Sequence, residues 1–382
     1  MLQAPNRRHY TADHELFRAS VRRFFEKEVA PFADAWDEAG GFPRELYRKA
    51  AEAGLLQPGF PEAYGGVPCD SFHRVILFQE RAWGGSGGVA SGLFSHTIGA
   101  PPIAAAGSEE LKARVLPGIL AGETISALAI TEPGGGSDVA QLATTARREG
   151  DHYVVNGSKL FITSGMRADW ITVAVRTGGE GAGGVSLLLV PGDAPGLTRS
   201  ELKKMGWWAS DTAEIGFHDC RVPAANLIGE EGRGFPILMR NFNHERLQLA
   251  AAACGYAQVC LHDAGDWARQ RRTFGRRLAD HQAIRHKLVD MATRIEATRA
   301  MLDDLAARLD EGESPFAQIA MAKNFATNTF QFCADQAVQI LGGMGFMRGT
   351  RVERLYREVK VMMIGGGAEE VMKDLIAKRL DI

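Results

Sequence analysis

The sequence predicts a mainly α protein with a β domain inserted in it. Three observations carry that prediction. Apolar residues repeat at helical spacing from about residue 11 to 122. Short β-type runs replace them from Ile125 to about Gly232, and long helical runs return after Phe235. The expected units are a helical N-terminal domain over 1–124, a central antiparallel β domain over 125–234 and a C-terminal four-helix bundle over 235–382. Helices, strands and helices in that order, instead of alternating, argue against a doubly wound nucleotide-binding sheet.

Each element has its own signal. Thr11-Ala-Asp-His-Glu reads as a capped helix start, and Leu16, Phe17, Val21, Phe24, Phe25 and Val29 follow at helical spacing. Pro31, Pro43, Pro58, Pro61 and Pro68 punctuate the next stretch, before helical runs at about 71–83 and 108–121. In the middle segment, runs at 153–155, 170–175, 185–190 and 213–217 are bounded by Gly, Asp, Asn or Pro, as strands with tight turns require. Helical runs then cover about 236–272, 281–311 and 315–341, with a shorter one from about 368. Their short connections predict antiparallel packing. Gly343, Gly345 and Gly349 imitate a dinucleotide fingerprint. They follow a helix instead of a strand, so a helix-ending glycine loop is expected and NAD binding is not.

Composition narrows the function. Apolar residues make up 45% and charged residues 24%, the balance of an ordinary soluble globular protein. A net charge of −2 gives no global reason to expect nucleic acid or an anionic membrane. Cys69, Cys220, Cys254, Cys260 and Cys333 form no CxxC pair, which argues against zinc ribbons and disulfide frameworks and points to a reducing compartment. Arg7, Arg8, Asp13 and Glu15 near the start leave no room for an apolar leader, and no run approaches a membrane span. A cytoplasmic protein without a metal site is the expectation.

Four constellations carry possible chemistry. Leu238, Phe242, Leu249, Ala252, Tyr256 and Val259 trace a buried helical stripe in which Glu245 takes the missing position. A carboxylate there is costly unless paired, and burial raises its pKa toward that of a general base. Pairing with a neighbouring arginine is the plain alternative. Thr131-Glu-Pro-Gly-Gly-Gly-Ser137-Asp can bring backbone N–H groups and a hydroxyl to a ligand, or form a wide turn. Arg271-Arg-Thr273-Phe274-Gly, with Gln282 beyond, suits phosphate binding and ring stacking, or is a solvated helix end. Ile364-Gly-Gly366-Gly-Ala leaves bare backbone donors before an amphipathic helix, or is a flexible linker.

Together and in this order, these segments resemble the acyl-CoA dehydrogenase family, over nearly the whole chain from Pro61-Glu-Ala-Tyr-Gly-Gly to the final helix. The resemblance implies that family's fold, with FAD as cofactor, an acyl-CoA substrate, an electron-transferring flavoprotein as partner and a homotetramer built as a dimer of dimers. It implies Thr131 and Ser137 along the flavin and its pyrophosphate, Ser137 also facing substrate. Phe161-Ile-Thr163-Ser resembles the family segment that places Phe161 against the ring and Thr163 near its reactive nitrogen. Arg271, Thr273, Phe274 and Gln282 match positions that reach the FAD of a neighbouring subunit, Gln339 and Gly343 a contact to the adenine half, and Glu370 a polar position at the flavin. Arg246 resembles a family position close to the CoA-binding site, with a salt bridge to a neighbouring acid as the plain alternative, and Asn243 is a further candidate on the substrate side.

At one point the sequence departs from the commonest pattern. Many members carry the catalytic base in a Tyr-Glu-Gly-Thr segment before the last helix, where this chain has Gly365-Gly366-Gly367-Ala368. His244-Glu245-Arg246-Leu247 resembles instead the E-R-L segment of the isovaleryl-CoA and long-chain branches, whose base lies on the earlier bundle helix. The resemblance implies α,β-dehydrogenation to a trans-2-enoyl-CoA, with Glu245 as base and the Gly366 N–H on the thioester oxygen. An acyl-CoA oxidase and a catalytically silent flavin-binding scaffold of the same fold are the competing readings. Acyl chain length stays open. Trp207 and Trp208 close a seam or cover the site, and His96 is expected as a satisfied helix histidine.

Overall fold

Thr11 starts the first helix with a capping box: its hydroxyl accepts the His14 N–H, and the His14 ring accepts the Thr11 N–H. The computed structural model describes residues 9–382, so Arg7 and Arg8 lie outside the described residues. Because Nδ1 of His14 accepts, Nε2 carries the proton and donates to Asp70 at 2.9 Å, tying α1 (Ala12–Glu28) to the N-cap of α4 (Ser71–Glu80). Between them lie α2 (Ala33–Ala39) and α3 (Glu45–Glu52), and α5 (Gly87–Leu93), α6 (His96–Gly99), α7 (Pro101–Ala106) and α8 (Glu109–Leu120) follow. Ser86 and Ser108 cap α5 and α8 through their hydroxyls.

The sheet is built from β1 (Ser126–Ala129), β2 (Thr145–Glu149), β3 (His152–Thr163), β4 (Trp170–Arg176), β5 (Val185–Pro191), β6 (Leu197–Glu201), β7 (Thr212–Pro223) and β8 (Leu227–Ile228). Its order is β6-β7-β3-β2-β4-β5-β8, with β1 on β4. Pairing is antiparallel except where β1 runs parallel to β4, and where Thr145 of β2 meets Arg176 of β4. The parallel pair has a local cause: the N–H groups of Asp169 and Trp170 both donate to the Ile125 carbonyl, so β4 starts level with β1 and runs beside it. Along β5, Leu188 and Val190 face a core inside the sheet, while Leu187 and Leu189 pack with Ile103, Leu116 and Ile119 of the helical layer. Both faces of β5 are therefore buried, which explains its unbroken apolar run.

The C-terminal bundle contains α9 (Gly234–Gln270), the hairpin β9 (Arg272–Thr273) and β10 (Arg276–Arg277), α10 (Gln282–Asp310), α11 (Phe316–Leu341), α12 (Gly343–Phe346), α13 (Arg351–Ile364) and α14 (Glu369–Leu380). Ala250 to Ala253 are fully buried, and a Cβ on Gly255 would collide with the Gln79 carbonyl, so α4 crosses α9 at close range there. Gly342 ends α11 with φ +62°, the helix-ending glycine expected in place of a dinucleotide loop. Helix α13 has no counterpart in the sequence reading. Charges stand among its inward positions: Arg354 binds Asp34, half-buried Arg357 binds Asp37 at 3.0 Å, and Glu358 accepts the Gly87 and Gly88 N–H groups. Val352, Leu355, Val359, Met362 and Met363 nevertheless recur at helical spacing on the buried face, a signal the sequence reading passed over. Among the described residues no helix is long and apolar enough to cross a membrane.

Candidate active site

Helix α9 presents Glu245 to the glycine loop that precedes α14. Gly366 in that loop has φ +67°, and a Cβ on it would stand 3.9 Å from Glu245 Oε1 and 2.5 Å from Leu249 Cδ1. Carboxylate and bare backbone therefore face each other, and a side chain at 366 would be strained by its φ and would have to displace the end of Leu249. Glu245 is half-buried, with protein crowding its carboxyl, and burial pushes that carboxyl up to about 7 against the opposing pull of Arg246 and Lys323. The neighbouring arginine is not its hydrogen-bonded partner. Arg246 donates Nε to the Gly366 carbonyl at 3.0 Å and a terminal nitrogen to Asn243 Oδ1 at 3.0 Å.

Lys323 of α11 completes this end of the site. Fully buried, it donates to the Met363 carbonyl at 3.0 Å and the Gly367 carbonyl at 2.7 Å. Burial and the nearby Arg246 push its ammonium down to about 8. Two cations thus grip three carbonyls of residues 363–367, and the Gly366 N–H has no backbone acceptor among the described residues. Glu370 is exposed at the start of α14, while Glu369 is held by Lys373 at 2.7 Å and Asn328 at 3.2 Å.

A second cluster forms where β1 gives way to the glycine-rich loop. Glu132 is buried against Lys159 at 2.7 Å and accepts the N–H groups of Ala143 at 2.6 Å and Thr144 at 2.9 Å. That pair pins the loop to β3. The Leu160 N–H donates to the Thr131 carbonyl at 2.8 Å, which sets Thr131 beside Phe161. Phe161 has φ +63° and is 65% exposed, an aromatic face turned outward by strained backbone. Nothing lies within 4 Å of a Cβ built on Gly134 or Gly135, Ser137 is exposed, and Thr163 pairs with Thr212 at the strand end. An exposed ring beside an open, donor-rich loop fits a flat cofactor with a phosphate tail such as FAD.

The remaining candidates lie apart. Arg271 caps the C-terminus of α9, twenty-six positions beyond Glu245 and therefore about 39 Å along the axis. Thr273 is half-buried in the hairpin, Phe274 is 96% exposed with φ +49°, and Gln282, Gln339 and Gly343 are exposed. A single chain does not bring this group to Glu245. His96 is buried and bonded to the Leu56 carbonyl at 3.0 Å, and burial pushes it down to about 4, as a satisfied neutral histidine requires. Trp207 packs on Gly87 and Gly88, and Trp208 lies 3.9 Å under Arg357 with its N–H on the Lys204 carbonyl. Both tryptophans fill the seam where α5 and α13 meet the β domain.

Sequence reasoning missed Lys323, Glu132 and Lys159. A lysine within Ile319-Ala-Met-Ala-Lys323 was a visible signal, because a charge in an apolar helical run must find partners.

Comparison with known proteins agrees with this architecture. Residues 11–123, 127–220 and 232–381 match the acyl-CoA dehydrogenase N-terminal, middle and C-terminal domains in turn. The chain is 37% identical over 378 residues to the long-chain specific acyl-CoA dehydrogenase of Rattus norvegicus mitochondria, covering 98% of this chain and 88% of that one. A solved acyl-CoA dehydrogenase from Geobacillus kaustophilus is similar with a TM-score of 0.94 and 40% identity, over 98% of this chain and 100% of that chain. Another, from Bacillus anthracis and complexed with FAD, is similar with a TM-score of 0.91 and 30% identity, over 97% of this chain and 67% of that chain. Likeness of this breadth, in all three domains and in chain order, makes this protein a member of the acyl-CoA dehydrogenase family, the FAD-dependent oxidoreductases of acyl-CoA thioesters.

Proposed function

We propose that Glu245 is the base in this enzyme's reaction, the FAD-dependent α,β-dehydrogenation of an acyl-CoA thioester to a trans-2-enoyl-CoA. The observation that carries the assignment is the Glu245 carboxylate standing opposite Gly366 with its basicity raised to about 7. A base near neutrality accepts a proton well at working pH and is still ionised often enough to act. The α C–H of a thioester is too weak an acid for a carboxylate in water, so the carbonyl oxygen needs a donor where charge develops. The Gly366 N–H suits that task, with Arg246 and Lys323 holding the loop carbonyls out of its way. Ser137, Asn243 and Arg246 are assigned to the substrate side, Arg246 acting through Gly366.

FAD, when bound, supplies the acceptor for the β hydride. Thr131, Ser137, Phe161 and Thr163 would hold its flavin half, with Glu370 nearby. Arg271, Thr273, Phe274, Gln282, Gln339 and Gly343 would hold the adenine half of a neighbouring copy's cofactor. The 39 Å separation along α9, about that by helical rise, and the bare Phe274 support this intersubunit arrangement and a homotetramer built as a dimer of dimers. Electrons leaving such a site go to an electron-transferring flavoprotein. Five free cysteines, four of them buried, fit a cytoplasmic setting.

The test is anaerobic bleaching of the flavin absorbance by short, branched and long acyl-CoA thioesters. Bleaching by one class, lost in Glu245→Gln, is the expected result. A bound flavin that no thioester reduces would overturn the assignment and leave a silent scaffold.

A further inference from the structure

Arg81 is a buried cation without a counter-ion. It follows α4, is only 7% exposed, and makes no hydrogen bond or ion pair among the described residues; its Nε is enclosed with no acceptor. Its guanidinium carbon lies 4.0 Å over the Phe78 ring and 5.7 Å from the Phe94 ring. Within electrostatic reach of it the Tyr256 hydroxyl, on a side chain 2% exposed, is likewise without a partner among the described residues. Nearby carboxylates are engaged elsewhere. Glu80 binds Arg18 at 2.9 Å and Arg22 at 2.7 Å, and Glu358 takes the Gly87 and Gly88 N–H groups. His96, also facing Arg81, is neutral and committed to Leu56. A bare buried charge beside an orphan hydroxyl is costly, and burial lowers Arg81 only to about 10, which leaves it protonated at neutral pH.

Its position connects it to the active site. Glu245, Leu249, Ala252 and Tyr256 advance along α9 in steps of four, three and four, so they share one face of the helix. Tyr256 lies eleven residues beyond Glu245, about 16 Å along the axis. Arg81 is brought beside it by the close crossing of α4 over Gly255. Leu249 is half-buried and Arg81 keeps 7% of its surface, so an acyl chain whose α carbon meets Glu245 and which passes Leu249 would head along α9 toward Arg81 and Tyr256.

We infer that Arg81 and Tyr256 form a distal subsite for a carboxylate at the far end of the acyl chain, so that the preferred substrate is the mono-CoA thioester of a medium-length dicarboxylic acid. An extended chain with C–C bonds near 1.5 Å needs on the order of ten carbons to cover that distance. The carboxylate neutralises Arg81, accepts the Tyr256 hydroxyl and takes over a charge that otherwise stands alone. The subsite presupposes the dehydrogenation proposed above.

The test compares wild-type holoenzyme on length-matched pairs, a plain acyl-CoA and its ω-carboxyacyl-CoA counterpart, in short, medium and long series with a dye as electron acceptor. The expected result is a kcat/KM ratio favouring the ω-carboxy substrate by roughly 10²-fold at medium length, since a site built for a polar group discriminates strongly against its absence. Arg81→Met should bring that ratio to one or below, and Arg81→Lys should keep part of it. A wild-type preference for the plain chain at every length, or the same ratio in Arg81→Met, would overturn the inference. Should Arg81→Met fail to fold with FAD, the wild-type ratio decides alone. Flavin that no thioester of either kind reduces sinks the dehydrogenation itself, whereas reduction by plain chains alone sinks only the distal subsite.

Discussion

Replacing Glu245 with glutamine keeps the shape of the side chain and removes its proton-accepting form, so activity and stability are expected to move in opposite directions. The carboxyl stands at about 7 in the fold against an ordinary 4.5, because burial disfavours its charge. That gap corresponds to roughly 3.4 kcal/mol at 1.36 kcal/mol per pH unit. Partial exposure to the cleft screens it to ~1–2 kcal/mol. Below pH 4.5 the carboxyl is neutral in both folded and unfolded chains, and no difference between the proteins is expected. Between 4.5 and about 7 the unfolded chain ionises while the folded one resists, so wild-type stability falls as pH rises. Above about 7 the penalty is complete and constant.

Glu245→Gln holoprotein with matched FAD content should therefore melt a few degrees above wild type at about pH 8, with the gap closing on acidification. Its flavin reduction by a good thioester should slow by roughly 10²–10⁴-fold. In the wild type, kcat/KM should rise with pH and level off near 7, as the base form fills. Thermal melts across pH and stopped-flow bleaching read both effects. A variant less stable than wild type in alkali, or one reduced at the wild-type rate, would refute the account of a buried, strained base.

Three further outcomes follow from the same geometry. Gly366→Ala forces a side chain onto φ +67° and against Leu249 Cδ1, which should cost ~1–3 kcal/mol in denaturant melts and slow bleaching; an unchanged midpoint would mean the loop is free to move. Lys323→Met removes a charge that holds Glu245 down, so the acid limb of kcat/KM should shift to higher pH, and a limb that stays in place would remove Lys323 from the site's electrostatics. Lys159→Met leaves Glu132 buried without its cation and should cost ~3–5 kcal/mol with faster FAD loss, an effect that adding Glu132→Gln should largely relieve.

Where the chain obeys one rule at a time, the sequence was enough. Thr11 before an apolar-periodic run gave the start of α1, and the steps of three and four from Leu238 to Val259 gave both α9 and the odd carboxylate in it. Strands β2 and β6 were not legible because Thr-Ala-Arg-Arg-Glu and Leu-Thr-Arg-Ser-Glu turn most of their side chains outward and show no apolar alternation. Helix α13 was missed although its apolar residues keep the helical period, because charges are interleaved with them. Its buried face mixes apolar Val352, Leu355, Val359, Met362 and Met363 with Arg354 and Glu358, and the partners of its charges, Asp34, Asp37 and the α5 N-terminus, come from more than two hundred and sixty residues earlier in the chain. Local periodicity has no access to such pairs.

The site divides along the same line. A glycine loop by itself reads as a linker, and a lysine in an apolar helix reads as an anomaly. Only the fold shows that they answer each other, because Lys323 of α11 and Arg246 of α9 converge on carbonyls that α13 and α14 bring between them. The position proposed for the base, Glu245, lies beside that convergence. What the chemistry requires is a carboxylate near one point and a free N–H beside it; the chain segment that supplies the carboxylate is secondary. Here Leu249 Cδ1 crowds the place of a Cβ at 366, so a side chain there needs both a strained φ of +67° and a shift of Leu249. Glycine at 366, leucine at 249 and glutamate at 245 therefore form one packing solution, and moving the carboxylate to the loop would require reshaping all three positions together.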